Sequence, residues 1–331
     1  MLGLRFILSW FSPLYDALLC PSIPLRLRLS LLGLQPLNLL TYPMKWIPYL
    51  FSREYSVESI PLRHTPGQSL RVLVFGASSP TTRGQKRPLH LDIHGGGFVG
   101  GIPELDIPFC KQVANETGAV VVSISYRLAP RHTFPIAHTD AEDIAEYIVR
   151  HAENRWGADP KRMMTVSGFS VGGNLALAVA QFLGQEIVKG SVTFYTPVDF
   201  RLPPWERPKP PGFPQKDPLA FLASLFDSYV GACRMENIQN QRLHPTLATR
   251  DSLPKNMLFV IPKVDILLDE QTKFVQRLES ESSKGGRVEA IFFEGQIHGW
   301  LELPSFAINE ETRRNAFDAA ISFIRDVQRE S

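Results

Sequence analysis

Cysteine is scarce in this 331-residue chain. Cys20, Cys110 and Cys233 are odd in number, far apart and never in C-x-x-C spacing. That excludes a disulfide framework and a thiolate zinc site, and it suits a reducing, cytoplasmic compartment. An excess of one charge is missing too: a formal net charge of +2 gives no electrostatic footprint for nucleic acid or another polyanion. Long uninterrupted apolar runs are also absent. The first 50 residues are rich in Leu, Phe, Trp and Ile, but Arg5, Asp16, Arg26, Arg28 and Lys45 divide them, and Pro13, Pro21, Pro24 and Pro36 interrupt them further. No stretch reaches the ~18 residues a spanning helix needs, and no small-residue cleavage site follows a clean apolar core. Segment 1–53 therefore reads as a helical cap or lid over an apolar pocket. Peripheral contact with a membrane surface is the alternative.

What is present points to a large folded core, with 44% hydrophobic and 21% charged residues. Strand-like runs fall at 54–60, 70–75, 89–93, 119–125, 163–166, 192–195, 257–261 and 288–293. Helical patterns fall at 104–117, 138–155, 171–183, 270–282 and 309–328. Val120-Val121-Val122 is continuously apolar, as a strand buried on both faces must be. Strand–helix alternation of this kind predicts an α/β fold with a mostly parallel eight-stranded sheet flanked by helices. The core is expected over 54–199 and 246–331. Segment 200–245 breaks the rhythm and reads as a second cap piece, with a proline-dense stretch at 203–218 and a helix-like stretch at 219–230. The P-x-x-P spacings there fit a rigid surface connection better than a ligand for proline-binding domains. The basic loop with Arg83, Lys86 and Arg87 reads as a solvated connection.

The strongest chemical signal is Gly168-Phe169-Ser170-Val171-Gly172-Gly173, placed between a strand and an apolar helix. A serine in so tight a strand-to-helix turn needs small residues two before and two after it, where side chains would collide. The turn also sets the hydroxyl at a helix N-terminus, which favours developing negative charge. The second signal is His94-Gly95-Gly96-Gly97-Phe98 at the end of another strand. Three consecutive glycines are costly in chain entropy, about 0.5–1 kcal/mol each against alanine in regular structure. They make sense where bare amides must face an oxyanion, and the N–H groups of Gly96, Gly97 and Val171 are the candidates. No Lys-Ser/Thr follows and the spacing is not G-x-G-x-x-G, so a phosphate loop does not fit.

A serine hydroxyl needs a base, and imidazole has a suitable pKa. Of eight histidines, His298 follows the last strand in a loop of small and turn-forming residues, and His94 reads as a brace for the glycine loop. His64, His90, His132, His138, His151 and His244 read as surface or packing residues. The base needs a carboxylate to set its tautomer. Asp265, just past the strand at 257–261, fits; Asp269 and Glu270 are fallbacks that read as caps of the next helix. The order Ser, Asp, His is the one this architecture imposes.

With these motifs assembled, the chain resembles the hormone-sensitive-lipase-like esterases, the alpha/beta hydrolase fold-3 group, over roughly residues 88–325. The resemblance rests on His94-Gly-Gly-Gly-Phe98, Tyr126-Arg-Leu-Ala-Pro130 with Phe134-Pro135 and Asp140, the Ser170 elbow, Asp265-Ile-Leu-Leu-Asp269 and His298-Gly299-Trp300. It implies a cap from the N-terminal segment plus a later insertion, a pocket beneath it, and no cofactor or metal. It also implies Ser170 as nucleophile, His298 as general acid/base, Asp265 as its orienter, and Gly96, Gly97 and Val171 as oxyanion hole. Members generally read Gly-Asp-Ser-Ala-Gly-Gly; here Phe169 replaces the acid and Val171 the alanine, which bears on the pocket's shape. The expected substrate is a small-molecule ester with a short or medium acyl chain or a bulky hydrophobic group. Cap aromatics Trp10, Phe11, Tyr15, Trp46, Trp205 and Phe221 are expected to make the pocket dry. Lactone or amide hydrolysis and acyl transfer use the same residues and stay open. A dead scaffold serving as a ligand receptor is disfavoured by the presence of His298. Oligomeric state is open, a homodimer included.

Overall fold

A computed structural model describes residues 11–46, 54–76, 86–215, 223–281 and 286–330. Each expected strand is there: β1 (Tyr55–Pro61), β2 (Ser69–Phe75), β3 (Leu89–Ile93), β4 (Val120–Ile124), β5 (Met164–Phe169), β6 (Val188–Phe194), β7 (Asn256–Val264) and β8 (Val288–Ile297). They form one sheet in the order β1-β2-β4-β3-β5-β6-β7-β8. β2 is antiparallel to β1 and β4, and every other pairing is parallel. The helices are α1 (Ser12–Leu19), α2 (Leu25–Trp46), α3 (Ile107–Thr117), α4 (Ile136–Trp156), α5 (Val171–Leu183), α6 (Leu268–Glu281) and α7 (Glu310–Glu330), with single helical turns at Pro160–Met163 and Ala223–Phe226.

The period-2 geometry of a strand explains the unbroken valine run. Val120 and Val122 enter the layer built with Ile144 and Ile148 of α4 and Leu175 and Val179 of α5. Val121 enters the opposite layer, with Ile107 and Phe109 of α3 and Phe317 and Ile321 of α7. Each such side chain, when fully buried, contributes about 1.5–3 kcal/mol. The two-sided burial of the central strands follows. Helix α7 shows how local chemistry sets an element's limits. The Asn309 side chain accepts the N–H groups of Glu311 (2.9 Å) and Thr312 (3.2 Å), capping the first turn. Phe317, Ala320, Ile321, Ile324 and Val327 then repeat at helical spacing on the buried face.

Three expectations need correction. Pro36 does not interrupt the N-terminal segment: it lies inside α2, while Pro13 occupies the first turn of α1 and Pro24 immediately precedes α2. Helix α2 holds because Leu31 and Leu34 bury against the core and Arg28 donates to the carbonyls of Ala17 and Leu18. The helix anticipated at 219–230 amounts to Ala223–Phe226, residues 219–222 lying outside the described part. Beyond Phe226 the chain turns, Gly231 N–H closing on Asp227 O at 2.7 Å, so that Tyr229 and Val230 enter the core. Arg87 is buried, not solvated, and donates to the carbonyls of Gly118 (3.0 Å), Ala119 (3.3 Å) and Gly76 (2.5 Å). Lys86 pairs with Glu153, and Arg83 lies outside the described residues. No described helix is long and apolar enough to cross a membrane.

Candidate active site

Four residues singled out from sequence stand directly after strand ends: His94 after β3, Ser170 after β5, Asp265 after β7 and His298 after β8. Because these strands are parallel, all four sit at one edge of the sheet. Binding sites of open parallel sheets lie at this carboxyl edge. A depression of about 1020 Å³ lies at the opposite edge, among Lys86, Arg150, Lys161, Lys189, Lys255 and Glu330.

Ser170 takes φ 51° and ψ −123°, a conformation costly for a residue with a side chain. Its N–H donates to Phe194 O at 2.9 Å, and its carbonyl accepts Gly173 N–H at 3.0 Å. The neighbouring glycines are sterically required. A Cβ on Gly172 would stand 2.0 Å from Ile93 O, and one on Gly168 would stand 2.3 Å from the Gly172 main chain. The elbow is thus pressed against the end of β3, which sets the glycine loop beside the serine.

The serine Oγ lies 2.8 Å from His298 Nε2, and His298 Nδ1 lies 2.8 Å from Asp265 Oδ2. Asp265 is buried, and its other oxygen accepts Leu267 N–H at 3.0 Å. With Nδ1–H donating to the carboxylate, Nε2 is left to accept the serine proton. Burial alone would lower the imidazole pKa. The charge of Asp265 and its hydrogen bond, with the charge of Glu302 behind them, outweigh burial and hold it above the ordinary 6.5; Arg207 acts in the opposite sense. The side chain is 41% exposed, which limits the cost of charging it.

In the glycine loop, Gly96 (φ 111°), Gly97 (φ 63°) and Phe98 (φ 63°) are successively left-handed. Runs of such residues turn main-chain amides toward one concavity. The Gly96 carbonyl accepts Val99 N–H (3.1 Å) and Gly100 N–H (3.0 Å). Among the described residues, the amides of Gly96 and Gly97 donate to no protein group. Val171 opens α5, where the first amides have no intrahelical acceptor. A Cβ on Gly95 would lie 3.4 Å from Ser170 Cβ, so the loop passes directly over the serine. His94 braces it as expected, Nδ1 bonding Gly95 O at 2.7 Å and the ring stacking on Tyr126 at 4.5 Å. Burial pushes the His94 pKa down to about 4, so the brace stays neutral.

The other histidines lie elsewhere. His90 bonds Thr165 and Ser167, His138 bonds Tyr229 and Asn174, and His244 accepts Phe200 N–H. The fallback acids are also occupied, though not as helix caps alone. Asp269 pairs with Lys273, while Glu270 accepts the N–H groups of Val198 and Asp199 and pairs with Arg207. Among the described residues no group of His, Cys, Asp and Glu could hold a metal.

Phe169 departs from its expected influence on the pocket. It is 1% exposed and stacks on Phe194 at 4.3 Å with Phe109 and Phe317 alongside, inside the core. Of the anticipated cap aromatics, Trp10 and Phe221 lie outside the described residues, and nothing is described of Trp46 beyond its place at the end of α2. Phe11, Tyr15 and Trp205 are 41–56% exposed, not packed in a closed wall. Phe226 meets the glycine loop instead: a Cβ on Gly97 would come 2.6 Å from its ring. Two further residues escaped the sequence reading. Tyr195, with φ 40°, sets its ring edge-on to His298 at 5.1 Å. Its hydroxyl donates to Glu302 at 3.3 Å. Their only sequence signal is position, at the end of β6 and four residues after the histidine.

The family model of the alpha/beta hydrolase fold matches residues 90–302. An esterase of Gibberella moniliformis is 26% identical over 258 residues, 72% of this chain and 78% of that protein. An ethyl acetate hydrolase of Pseudomonas putida is 29% identical over 65% of this chain and 66% of its own length. Among solved structures, a hyperthermophilic esterase from Pyrobaculum calidifontis is 27% identical, with a TM-score of 0.70 over 88% of this chain and 93% of that one. The thermostable carboxylesterase EstE1, from a metagenomic library, also has a TM-score of 0.70 at 27% identity, covering 88% of this chain and 97% of its own.

Proposed function

Since the chain belongs to the alpha/beta hydrolase fold family, we propose that it is a carboxylic ester hydrolase acting through Ser170, His298 and Asp265. The observation that carries this reading is the continuous relay from Ser170 Oγ through His298 to Asp265, 2.8 Å at each step. His298 Nε2 takes the serine proton as Oγ attacks the acyl carbon. The carbonyl electrons move onto oxygen, which the amides of Gly96, Gly97 and Val171 receive. The imidazolium, steadied by Asp265, then protonates the departing alkoxide and leaves an acyl-enzyme. Water, deprotonated by the same imidazole, releases the acid and restores the serine. The described parts of segments 1–53 and 200–245 are read as the cap. Phe226 narrows the space beside the oxyanion amides, which supports short or medium acyl chains over the bulky hydrophobic ester also expected from sequence.

The test combines a fluorophosphonate label with a panel of p-nitrophenyl esters of graded acyl length. The wild-type chain is expected to label at Ser170 and to show a maximum along the series. Ser170→Ala is expected to lose both labelling and turnover. A chain that neither labels nor hydrolyses any ester, or whose Ser170→Ala variant stays active, refutes the assignment. Flat activity across the series refutes the pocket.

A further inference from the structure

The N-terminal hairpin carries two features that the chemistry above does not use. The first is its charge. Between Ser12 and Trp46 it carries Arg26, Arg28 and Lys45 but only one acid, Asp16. That net charge of +2 equals the total of the whole chain, so the rest of the chain sums to zero. Asp16 is buried and answered by Arg131 at 3.2 Å, so it offsets none of this at the surface. The second is exposed apolar surface. Tyr15, Leu18 and Leu19 share one side of α1, while Asp16 and Ala17 are buried. On α2, Leu25 and Leu29 stand four residues apart, with Leu39 further along, while Leu31 and Leu34 face the core. These six outward side chains are 52–66% exposed. Single exposed leucines are ordinary, but a cluster flanked by cations marks an interaction surface.

The hairpin is also joined to the catalytic edge. Arg26 donates to Ser224 Oγ at 2.9 Å, in the helical turn whose Phe226 rests on Gly97. We propose that the α1–α2 hairpin docks on an anionic lipid bilayer, lying in its surface with the exposed leucines inserted and the arginines at the headgroups. Such a segment binds by apolar burial together with electrostatic attraction. The outcome is a catalytic mouth held against the bilayer, positioned for esters dissolved in it. Docking is read as binding, so it stands or falls apart from the catalytic assignment.

The experiment is flotation of the full chain with vesicles of phosphatidylcholine alone and of phosphatidylcholine with phosphatidylserine. Ser170→Ala is run in parallel, so that turnover plays no part. The mixed vesicles are expected to carry the protein. Each surface cation contributes about fivefold, and added salt is expected to release much of the bound protein. A Leu19→Asp, Leu25→Asp, Leu29→Asp triple variant is expected to lose flotation while keeping the far-UV circular dichroism and thermal midpoint of the wild type. The proposal is overturned if the wild type does not float, if it binds neutral vesicles equally and without regard to salt, or if the triple variant floats unchanged. It is also overturned if light scattering shows a dimer that the triple variant abolishes without any vesicle binding, which would assign this face to a second copy.

Discussion

Replacing Asp265 with asparagine tests the relay at its most constrained point. The native carboxylate serves two donors, Leu267 N–H through Oδ1 at 3.0 Å and His298 Nδ1–H through Oδ2. An asparagine has one acceptor oxygen, and the main-chain N–H of Leu267 has no other use for its proton. The amide oxygen therefore stays with Leu267, and the NH2 group faces His298. The imidazole must then accept at Nδ1 and carry its proton on Nε2, which points at Ser170 Oγ and can no longer take a proton from it. The lost charge adds to the wrong tautomer. At the ~4 Å between charge centres implied by a direct hydrogen bond, and an effective dielectric of about 20, the carboxylate stabilises an imidazolium by about 4 kcal/mol. That corresponds to about 10³ in rate. Partial exposure of the ring trims the Coulomb share, and the tautomer penalty restores it, so kcat is expected to fall by about 10³–10⁴. KM for a p-nitrophenyl ester should change little. The thermal midpoint should hold within a few degrees, because the Leu267 bond and the side-chain volume are conserved. A loss under about tenfold, or one confined to KM, would refute the reasoning.

Gly97→Ala would put a Cβ 2.6 Å from the Phe226 ring at φ 63°. Displacing one oxyanion donor should cut kcat by about 10²–10³, and Phe226→Ala in the same chain should recover part of it; no recovery would remove Phe226 as the cause. The acid limb of kcat/KM should have its midpoint above the ordinary histidine value of 6.5, because the proposed mechanism needs neutral imidazole and the His298 pKa is raised. Glu302→Gln should move that midpoint to lower pH; an unmoved midpoint would rule out the Glu302 charge. In linkage terms, a raised folded pKa stabilises the fold fully below pH 6.5, and that share is lost as pH rises through the folded value. Phe169→Ala should cost about 3–5 kcal/mol in denaturant unfolding and leave the acyl-length profile unchanged; altered specificity at full stability would place this side chain in the pocket after all.

Much of the fold was legible because its signals are local. A run such as Val120-Val121-Val122 states its burial on both faces through the alternation of a strand, and α7 announces its start with Asn309 and its face with residues three and four apart. The site was legible for a related reason. Its groups stand at strand ends, and the main-chain demands of a tight elbow and a loop of bare amides can be met only by small residues at set spacings. Where the reading failed, the deciding contact was remote in sequence. Pro36 reads as a helix breaker, yet packing of Leu31 and Leu34 keeps α2 whole around it. Arg87 reads as solvated until three carbonyls, one 11 residues upstream and two more than 30 downstream, converge on it.

The sequence by itself determined the strand and helix plan, the edge of the sheet where the candidate site gathers, and the residue types available there, because periodicity and turn sterics act over a few neighbours. Tertiary structure alone decided that Ser170 and His298, 128 positions apart, meet at hydrogen-bond distance. It also decided that Phe169 belongs to the core, that Phe226 bounds the glycine loop and that Glu302 stands behind the imidazole. Side-chain burial and the field at a titrating group are sums over whatever packing brings close, and nothing along the chain states that list in advance.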